Sequence, residues 1–190
     1  METARATKGI MSDNQLMQMF ADHDDQVAFE RLYHKYKESL IRFSYGYTFN
    51  QARAEEIVHD TFLKVYRYKK NYDPQKTFRT WLWTICKNTN LDALDKNPLK
   101  RDQSFEDIET EFTDQDESVL EKMVNESTKE EINNVIGTLP LTQREALLLW
   151  MNDDLSFEEM GSVLNKSPQA VKNLVHRAKL GMKTKLGGSK

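Results

Sequence analysis

Three groups of side chains have types and spacings that could do chemistry. The first is Glu55-Glu56-Ile57-Val58-His59-Asp60-Thr61-Phe62-Leu63, where carboxylates bracket an imidazole. On a helix, Glu55, Glu56 and Asp60 can share one face at i, i+4 spacing. Carboxylates beside a His invite a metal or acid–base reading. One helix face supplies no pocket, however, and no second ligand cluster accompanies it. An acidic face that docks a basic partner is the better account. The second group is Thr77–Thr89, dense in aromatics. Phe78, Trp81, Leu82, Ile85 and Thr89 fall on one helical face and are expected in the core. Trp83, Lys87 and Asn90 fall elsewhere. An exposed aromatic beside Lys and Asn can stack on, and hydrogen-bond to, an unpaired base. Trp83 is thus a candidate base platform, with plain packing as its alternative.

The third group is Gln169, Lys172, Asn173, His176, Arg177 and Lys179, preceded by Lys166 and Ser167. Phosphates attract Lys and Arg, and base edges pair with amide and guanidinium groups near a helix N-terminus. The N-terminus is itself a phosphate site. The bland alternative is an exposed basic helix. His176 has no partner ligands around it, so it reads as a surface or phosphate-contacting residue and not a metal ligand.

The elements that must position these groups are helical. Apolar residues recur at spacings of three and four from Ser12 to Lys96, with breaks at Phe49-Asn50-Gln51 and Asn71-Tyr72-Asp73-Pro74. A second helical unit begins at Thr128. Thr128 with Glu131, Thr142 with Glu145, and Ser156 with Glu159 each read as a capping box, and Ser167-Pro168 opens a fourth helix. Ser156–Leu164 and the helix after Ser167 form a helix-turn-helix. Gly161 permits close approach, Asn165 takes the left-handed turn position, and Val171, Leu174, Val175, Ala178 and Met182 form the buried stripe.

Between the units charge separates sharply. Ten acids stand between Asp102 and Glu126 against one Lys122, while Lys166–Lys190 holds seven Lys or Arg and no acid. A net charge of -3 hides that basic end. The chain of 190 residues has only 7 Gly and 4 Pro, which argues against a turn-rich sandwich or barrel. A single Cys86 excludes a disulfide framework and a multi-cysteine zinc site. No apolar run approaches a membrane span, and Met1–Ile10 lacks the apolar segment of a secretory signal. A cytoplasmic location is expected. The expected fold class is all-α: two small helical domains joined by an acidic flexible linker, the C-terminal one a helix-turn-helix. The expected boundaries are a disordered leader 1–11, a helical domain 12–96, a linker 97–127, a second domain 128–186 and a tail 187–190.

Three stretches in this order carry a specific resemblance: E-E-I-V-H-D-T-F-L-K-V-Y from Glu55, T-F-R-T-W-L-W-T-I-C-K-N from Thr77, and L-P-L-T-Q-R-E-A to V-H-R-A-K from Leu139. Over roughly residues 12–186 the chain resembles the extracytoplasmic-function subgroup of bacterial RNA polymerase sigma factors. The resemblance implies that Glu55, Glu56, His59, Asp60 and Phe62 dock on the clamp helices of the polymerase's largest subunit. It implies that the loop Asn71–Lys76 and the next helix capture a flipped base of the -10 element, with Phe78, Arg79, Trp83, Lys87 and Asn88 as candidates. It implies that Lys166, Ser167, Gln169, Lys172, Asn173, His176, Arg177 and Lys179 read the -35 duplex. The acidic linker resembles a segment threaded toward the RNA exit path, where its acids mimic a nucleic-acid backbone.

The chain departs from the family where His59 replaces the usual Gln. It departs again where Asp92 and Asp95 stand, with only Lys96, at positions that are often basic. Its Trp81 and Trp83 do not align with the paired tryptophans of housekeeping factors, which implies weaker melting and more stringent promoter choice.

The implied partners are bacterial core RNA polymerase, promoter DNA and an anti-sigma regulator, with no membrane insertion and no small-molecule substrate. No cofactor and no metal are expected. A competing account is a stand-alone helix-turn-helix regulator with an N-terminal dimerisation or sensing domain. It leaves the Phe78–Asn88 cluster and the linker without a role. An enzyme is disfavoured, because no Gly-rich phosphate loop, nucleophile elbow or metal-ligand cluster is present.

Overall fold

The structure is a computed structural model and describes residues 11–95, 128–151 and 155–187. These residues hold eight α-helices and no strand. The N-terminal unit comprises α1 (Asp13–His23), α2 (Gln26–Thr48), α3 (Gln51–Tyr68) and α4 (Phe78–Asp95), with a short 3-10 turn at Lys69–Asn71. The C-terminal unit comprises α5 (Lys129–Gly137), α6 (Leu141–Trp150), α7 (Phe157–Leu164) and α8 (Pro168–Gly187). The expected linker 97–127, leader residues 1–10 and tail residues 188–190 lie outside the described residues. Met11, expected in the leader, is partly buried against the core.

Local chemistry sets the helix ends. Ser12 and Gln15 form a capping box at α1. Asp24 leaves α1 in the left-handed region at φ 56°, and the Asp25 carboxylate accepts the Ala28 N–H at 3.1 Å to start α2. Apolar periodicity runs straight across this pair of aspartates, so the continuous pattern from Ser12 conceals a break. The expected break at Phe49-Asn50-Gln51 is present. Phe49 is left-handed at φ 50°, and Asn50 caps α3 by accepting the Arg53 N–H at 3.0 Å.

In the C-terminal unit the capping boxes at Thr128–Glu131 and Ser156–Glu159 form. The one expected at Thr142–Glu145 does not. Pro140, with its fixed φ and no N–H, launches α6 at Leu141, so Thr142 already lies inside the helix. Glu145 is buried and bonded to the other unit instead. The helix-turn-helix forms as read. Asn165 turns at φ 55°, and a Cβ on Gly161 would sit 2.7 Å from the Lys166 carbonyl oxygen. The buried stripe of α8 is Val171, Leu174, Val175, Ala178 and Met182.

The two units touch. α4 packs on α7, and α2 packs on α5 and α6. One cluster of buried apolar side chains runs through both.

Candidate nucleic-acid interface

α8 is held by its inner stripe on α5, α6 and α7. The Ser167 hydroxyl accepts the Ala170 N–H at 3.1 Å and fixes its first turn. Directly opposite the buried stripe stand Gln169, Asn173, His176 and Leu180, at spacings of four, three and four. The Gln169 amide donates to the Asn173 side-chain oxygen at 3.2 Å, so two base-reading groups are mutually oriented. Lys172 and Arg177 flank this line. Lys172 and Ser167 are exposed, and Lys166, His176 and Arg177 are partly so. The Lys179 ammonium lies 3.5 Å from the Trp150 ring centroid, packed back over α6 and away from the outer line. Leu180, 49% exposed, completes the line and was not among the expected contacts. A long apolar side chain opposite a core stripe was the available signal.

α4 is anchored at its start from α1. Asn14 accepts the Phe78 N–H at 2.8 Å, and its amide donates to the Lys76 carbonyl at 3.4 Å. The face assigned to the core was displaced from the real one. The residues actually buried are Phe78, Leu82, Trp83, Cys86, Thr89 and Asn90. Trp83, expected as a base platform, is 1% exposed and packs its edge against Phe43 at 5.1 Å. Phe78, also proposed for base contact, is fully buried against Tyr36 and Tyr72. Asn90, expected outside, is buried, and its amide donates to the Ser44 hydroxyl and the Cys86 carbonyl, each at 3.0 Å. Ranking by hydropathy favours Ile85 over Cys86 and Asn90. A buried amide whose nitrogen finds acceptors on two helices reverses that order.

The aromatic left accessible is Trp81, partly buried and 5.4 Å from Tyr72. Trp81, Thr80 and Thr84 line a cleft of about 520 Å³ between α4 and α7, closed on the far side by Glu158, Glu159 and Ser162. Arg79 reaches Glu159 across this cleft at 4.0 Å. Lys87 is partly buried and Asn88 exposed.

On α3, Glu55, Glu56, His59 and Asp60 are exposed as expected. Phe62 is not. It is 3% exposed and lies between Tyr33 at 4.7 Å and Phe29 at 6.1 Å, so it supports the helix from inside. Its neighbour Leu63 is 50% exposed. Arg53, Glu56, Asp60, Leu63 and Arg67 make one outward stripe, which lines a groove of about 660 Å³ shared with α4. Lys64 bonds Asp92 at 2.8 Å and ties the two helices, so Asp92 is engaged with α3.

Glu145, Tyr47 and Cys86 are among the buried groups that are electrostatically perturbed. Burial raises the Glu145 carboxyl above its usual range, opposed by the Tyr47 hydroxyl and by Lys87, Lys166 and Arg144. Burial also lifts the Tyr47 phenol far up, with Glu145 adding to the effect. The Cys86 thiol is pushed up to about 11 by burial and is inert as a nucleophile at neutral pH.

Residues 32–98 match the family model described as Sigma-70 region 2, and residues 129–181 that described as Sigma-70, region 4. The chain is similar to the RNA polymerase sigma factor CarQ of Myxococcus xanthus, 31% identical over 172 residues, which cover 90% of this chain and 95% of CarQ. It is also similar to the ECF RNA polymerase sigma factor SigW of Bacillus subtilis, 27% identical over 85% of this chain and 90% of that protein. Among solved structures the fold is similar to CnrH in complex with the cytosolic domain of CnrY. The TM-score is 0.71 at 22% identity, covering 94% of this chain and 99% of that one. The sigma factor RpoE from Bartonella quintana, in complex with the anti-sigma factor NepR, gives a TM-score of 0.64 at 17% identity, covering 85% and 98%. At these identities the structural likeness is one of fold.

Proposed function

The chain belongs to the sigma-70 family of RNA polymerase sigma factors, in the extracytoplasmic-function subgroup, and from that membership we propose how its residues divide the work. As a sigma factor it serves promoter-specific transcription initiation with RNA polymerase and promoter DNA. In our reading residues 12–96 and 128–186 are the two working domains.

α8 enters the major groove of the -35 element. Gln169, Asn173 and His176 point at base edges, while Lys166, Lys172, Arg177 and the helix start at Ser167 engage phosphates. The observation that carries this assignment is the outer line of α8, held rigidly by its buried stripe and oriented by the Gln169–Asn173 bond. α4 takes the -10 strand with Arg79, Lys87 and Asn88. Trp81 replaces the buried Trp83 as the stacking surface, and Phe78 backs the helix from the core. α3 docks the polymerase through Glu55, Glu56, His59 and Asp60, with Leu63 as the apolar contact in place of Phe62.

We read the chain as a non-enzymatic, cytoplasmic factor. No helix among the described residues is long and apolar enough to cross a membrane. Two proteins of similar fold are solved with CnrY and with the anti-sigma factor NepR, and a protein regulator of that kind is proposed here.

The test is run-off transcription by bacterial core polymerase on a library of promoter fragments, with and without the purified chain. Initiation that depends on the chain is expected. A chain that ignores core polymerase but binds duplex DNA as a dimer would instead be a stand-alone regulator.

A further inference from the structure

Asn14, in the first turn of α1, bonds to backbone groups 62 and 64 positions away. Its side-chain oxygen accepts the Phe78 N–H at 2.8 Å, and its side-chain nitrogen donates to the Lys76 carbonyl at 3.4 Å. The amide thus straddles Thr77 and holds the backbone on both sides of it. Thr77 caps α4 locally by accepting the Thr80 N–H at 3.3 Å. Such a cap serves the second or third N–H of a helix, and the first, that of Phe78, goes to α1 instead.

The loop that leads into this clasp is bonded through its backbone. The hydroxyl of buried Tyr72 donates to the same Lys76 carbonyl at 2.9 Å. The Gln75 N–H donates to the Asp73 carboxylate and the Lys76 N–H to the Asp73 carbonyl, each at 3.0 Å. The side chains of Asp73, Pro74, Gln75, Lys76 and Thr77 are all exposed. The first turn of α1 is anchored in its turn. Asp13 accepts from the hydroxyl of buried Tyr36 and pairs with Lys35 at 2.6 Å. Burial and the Asp13 carboxylate raise the Tyr36 phenol, so its hydroxyl stays a donor. The Tyr36 ring packs on Phe78, whose N–H Asn14 takes.

The clasp lies beside the surface assigned to base stacking. Lys76, Thr77 and Thr80 line the same cleft as Trp81, and the Thr77 and Thr80 hydroxyls are 2.7 Å apart. Tyr72, which holds the Lys76 carbonyl, also stands 5.4 Å from the Trp81 ring. A base stacked on Trp81 meets an ammonium and two hydroxyls at its edge. Polar groups reject a wrong base only where they are held in place, because a group free to shift finds another partner.

We propose that Asn14 is a positioning residue for base choice in the -10 strand: it fixes Lys76 and Thr77 beside Trp81 and acts through them. This inference rests on the assignment of α4 to the -10 strand.

The test uses holoenzyme assembled from core polymerase and the full chain. The probe is a set of promoter fragments premelted over the -10 element, with each base of that strand varied in turn. The readout is the ratio of open complexes on the preferred base to those on the other bases. Asn14→Ala should lower that ratio about tenfold at one position and leave it unchanged at the others. Asn14→Leu fills a similar space without either bond and should do the same, which separates lost bonds from a lost packing contact. Tyr72→Phe removes one of the two donors to the Lys76 carbonyl and should lower the ratio at the same position by less. Capture of core polymerase and affinity for duplex -35 fragments should match the wild type in all three. An unchanged ratio in both Asn14 variants overturns the proposal. So does an equal loss of open complexes on every base, the mark of a purely structural role, and so does a wild type without base preference in this strand.

A separate arm assays Arg79→Ala holoenzyme on the same fragments. Loss of open complexes there upholds the assignment of α4 whatever the Asn14 variants do. Full activity there overturns that assignment, and the positioning role with it.

Discussion

The phenolic hydroxyl of Tyr47 donates to a carboxylate oxygen of Glu145 across 2.8 Å, joining α2 to α6 through a buried pair. Burial raises the Glu145 carboxyl above its value in solvent, while Tyr47 from α2, Lys87 from α4, Lys166 from the turn before α8 and Arg144 on α6 itself pull the other way. The closed form therefore binds the proton more tightly than any form with Glu145 in water. By linkage its contribution is fully present below the solvent carboxylate value, and it is lost as pH rises through the raised value. Scattering should show the chain becoming more compact as pH falls through the raised Glu145 value toward the solvent carboxylate value. Glu145→Gln, which keeps an acceptor for Tyr47, should be compact and indifferent to pH across that range. Expansion on mild acidification, or an unaltered pH response in Glu145→Gln, counts against this linkage.

Phe62 and Leu63 are neighbours with opposite duties. Phe62→Ala empties a core position and should cost about 3–5 kcal/mol of stability, read by thermal or urea unfolding. Leu63→Asp alters an exposed position and should change stability by no more than about 0.5 kcal/mol. Yet Leu63→Asp and Asp60→Lys should both abolish capture of core polymerase in a pull-down. Normal holoenzyme assembly by either variant would remove α3 from the docking surface.

Trp81 and Trp83 separate in the same way. Trp83→Ala should destabilise the chain by about 3–5 kcal/mol. Trp83→Phe should be milder, because the indole N–H has no acceptor among the described residues. Trp81→Ala should leave the fold intact and weaken open-complex formation, since stacking is worth about 1–3 kcal/mol per base. A Trp81→Ala holoenzyme that opens promoters normally would return this side chain to a packing role.

On α8 the contacts should divide by chemistry. Asn173→Ala should cost roughly 1–3 kcal/mol and relax preference at one base pair. Lys172→Ala should weaken binding across sequences and lower the salt slope by about one unit. Anisotropy titrations of duplex -35 fragments at several salt concentrations measure both. A Lys172→Ala protein with unchanged affinity and slope would place its ammonium away from the phosphates.

Where the physics is local, the residues announced the structure. Asn165, Gly161 and Ser167-Pro168 specify the tight turn of the helix-turn-helix through φ preference, absence of a Cβ and a capped start. The inner stripe of α8 follows from its spacing. The exposed acids of α3 followed in the same way. Hydropathy patterns register a face only to within about one or two residue positions. That margin separates Phe62 from Leu63, and Trp83 from Trp81. In α4 the decision fell to Asn90, whose buried amide nitrogen donates to the Ser44 hydroxyl of α2. No ranking of α4 residues by hydropathy contains that partner.

The helical class, the sharp separation of charge and the reading helix with its basic face were determined by the chain's own order of residues, because propensity, capping and periodicity act within a few positions. Two things were decided only by tertiary structure. One is which of two adjacent side chains meets solvent. The other is that Glu145, spaced as a capping residue, leaves Thr142 to bond Tyr47. Both depend on surfaces brought together from distant parts of the chain. There the free energy of burying a group depends on the partner it finds, and local spacing carries no information about that partner.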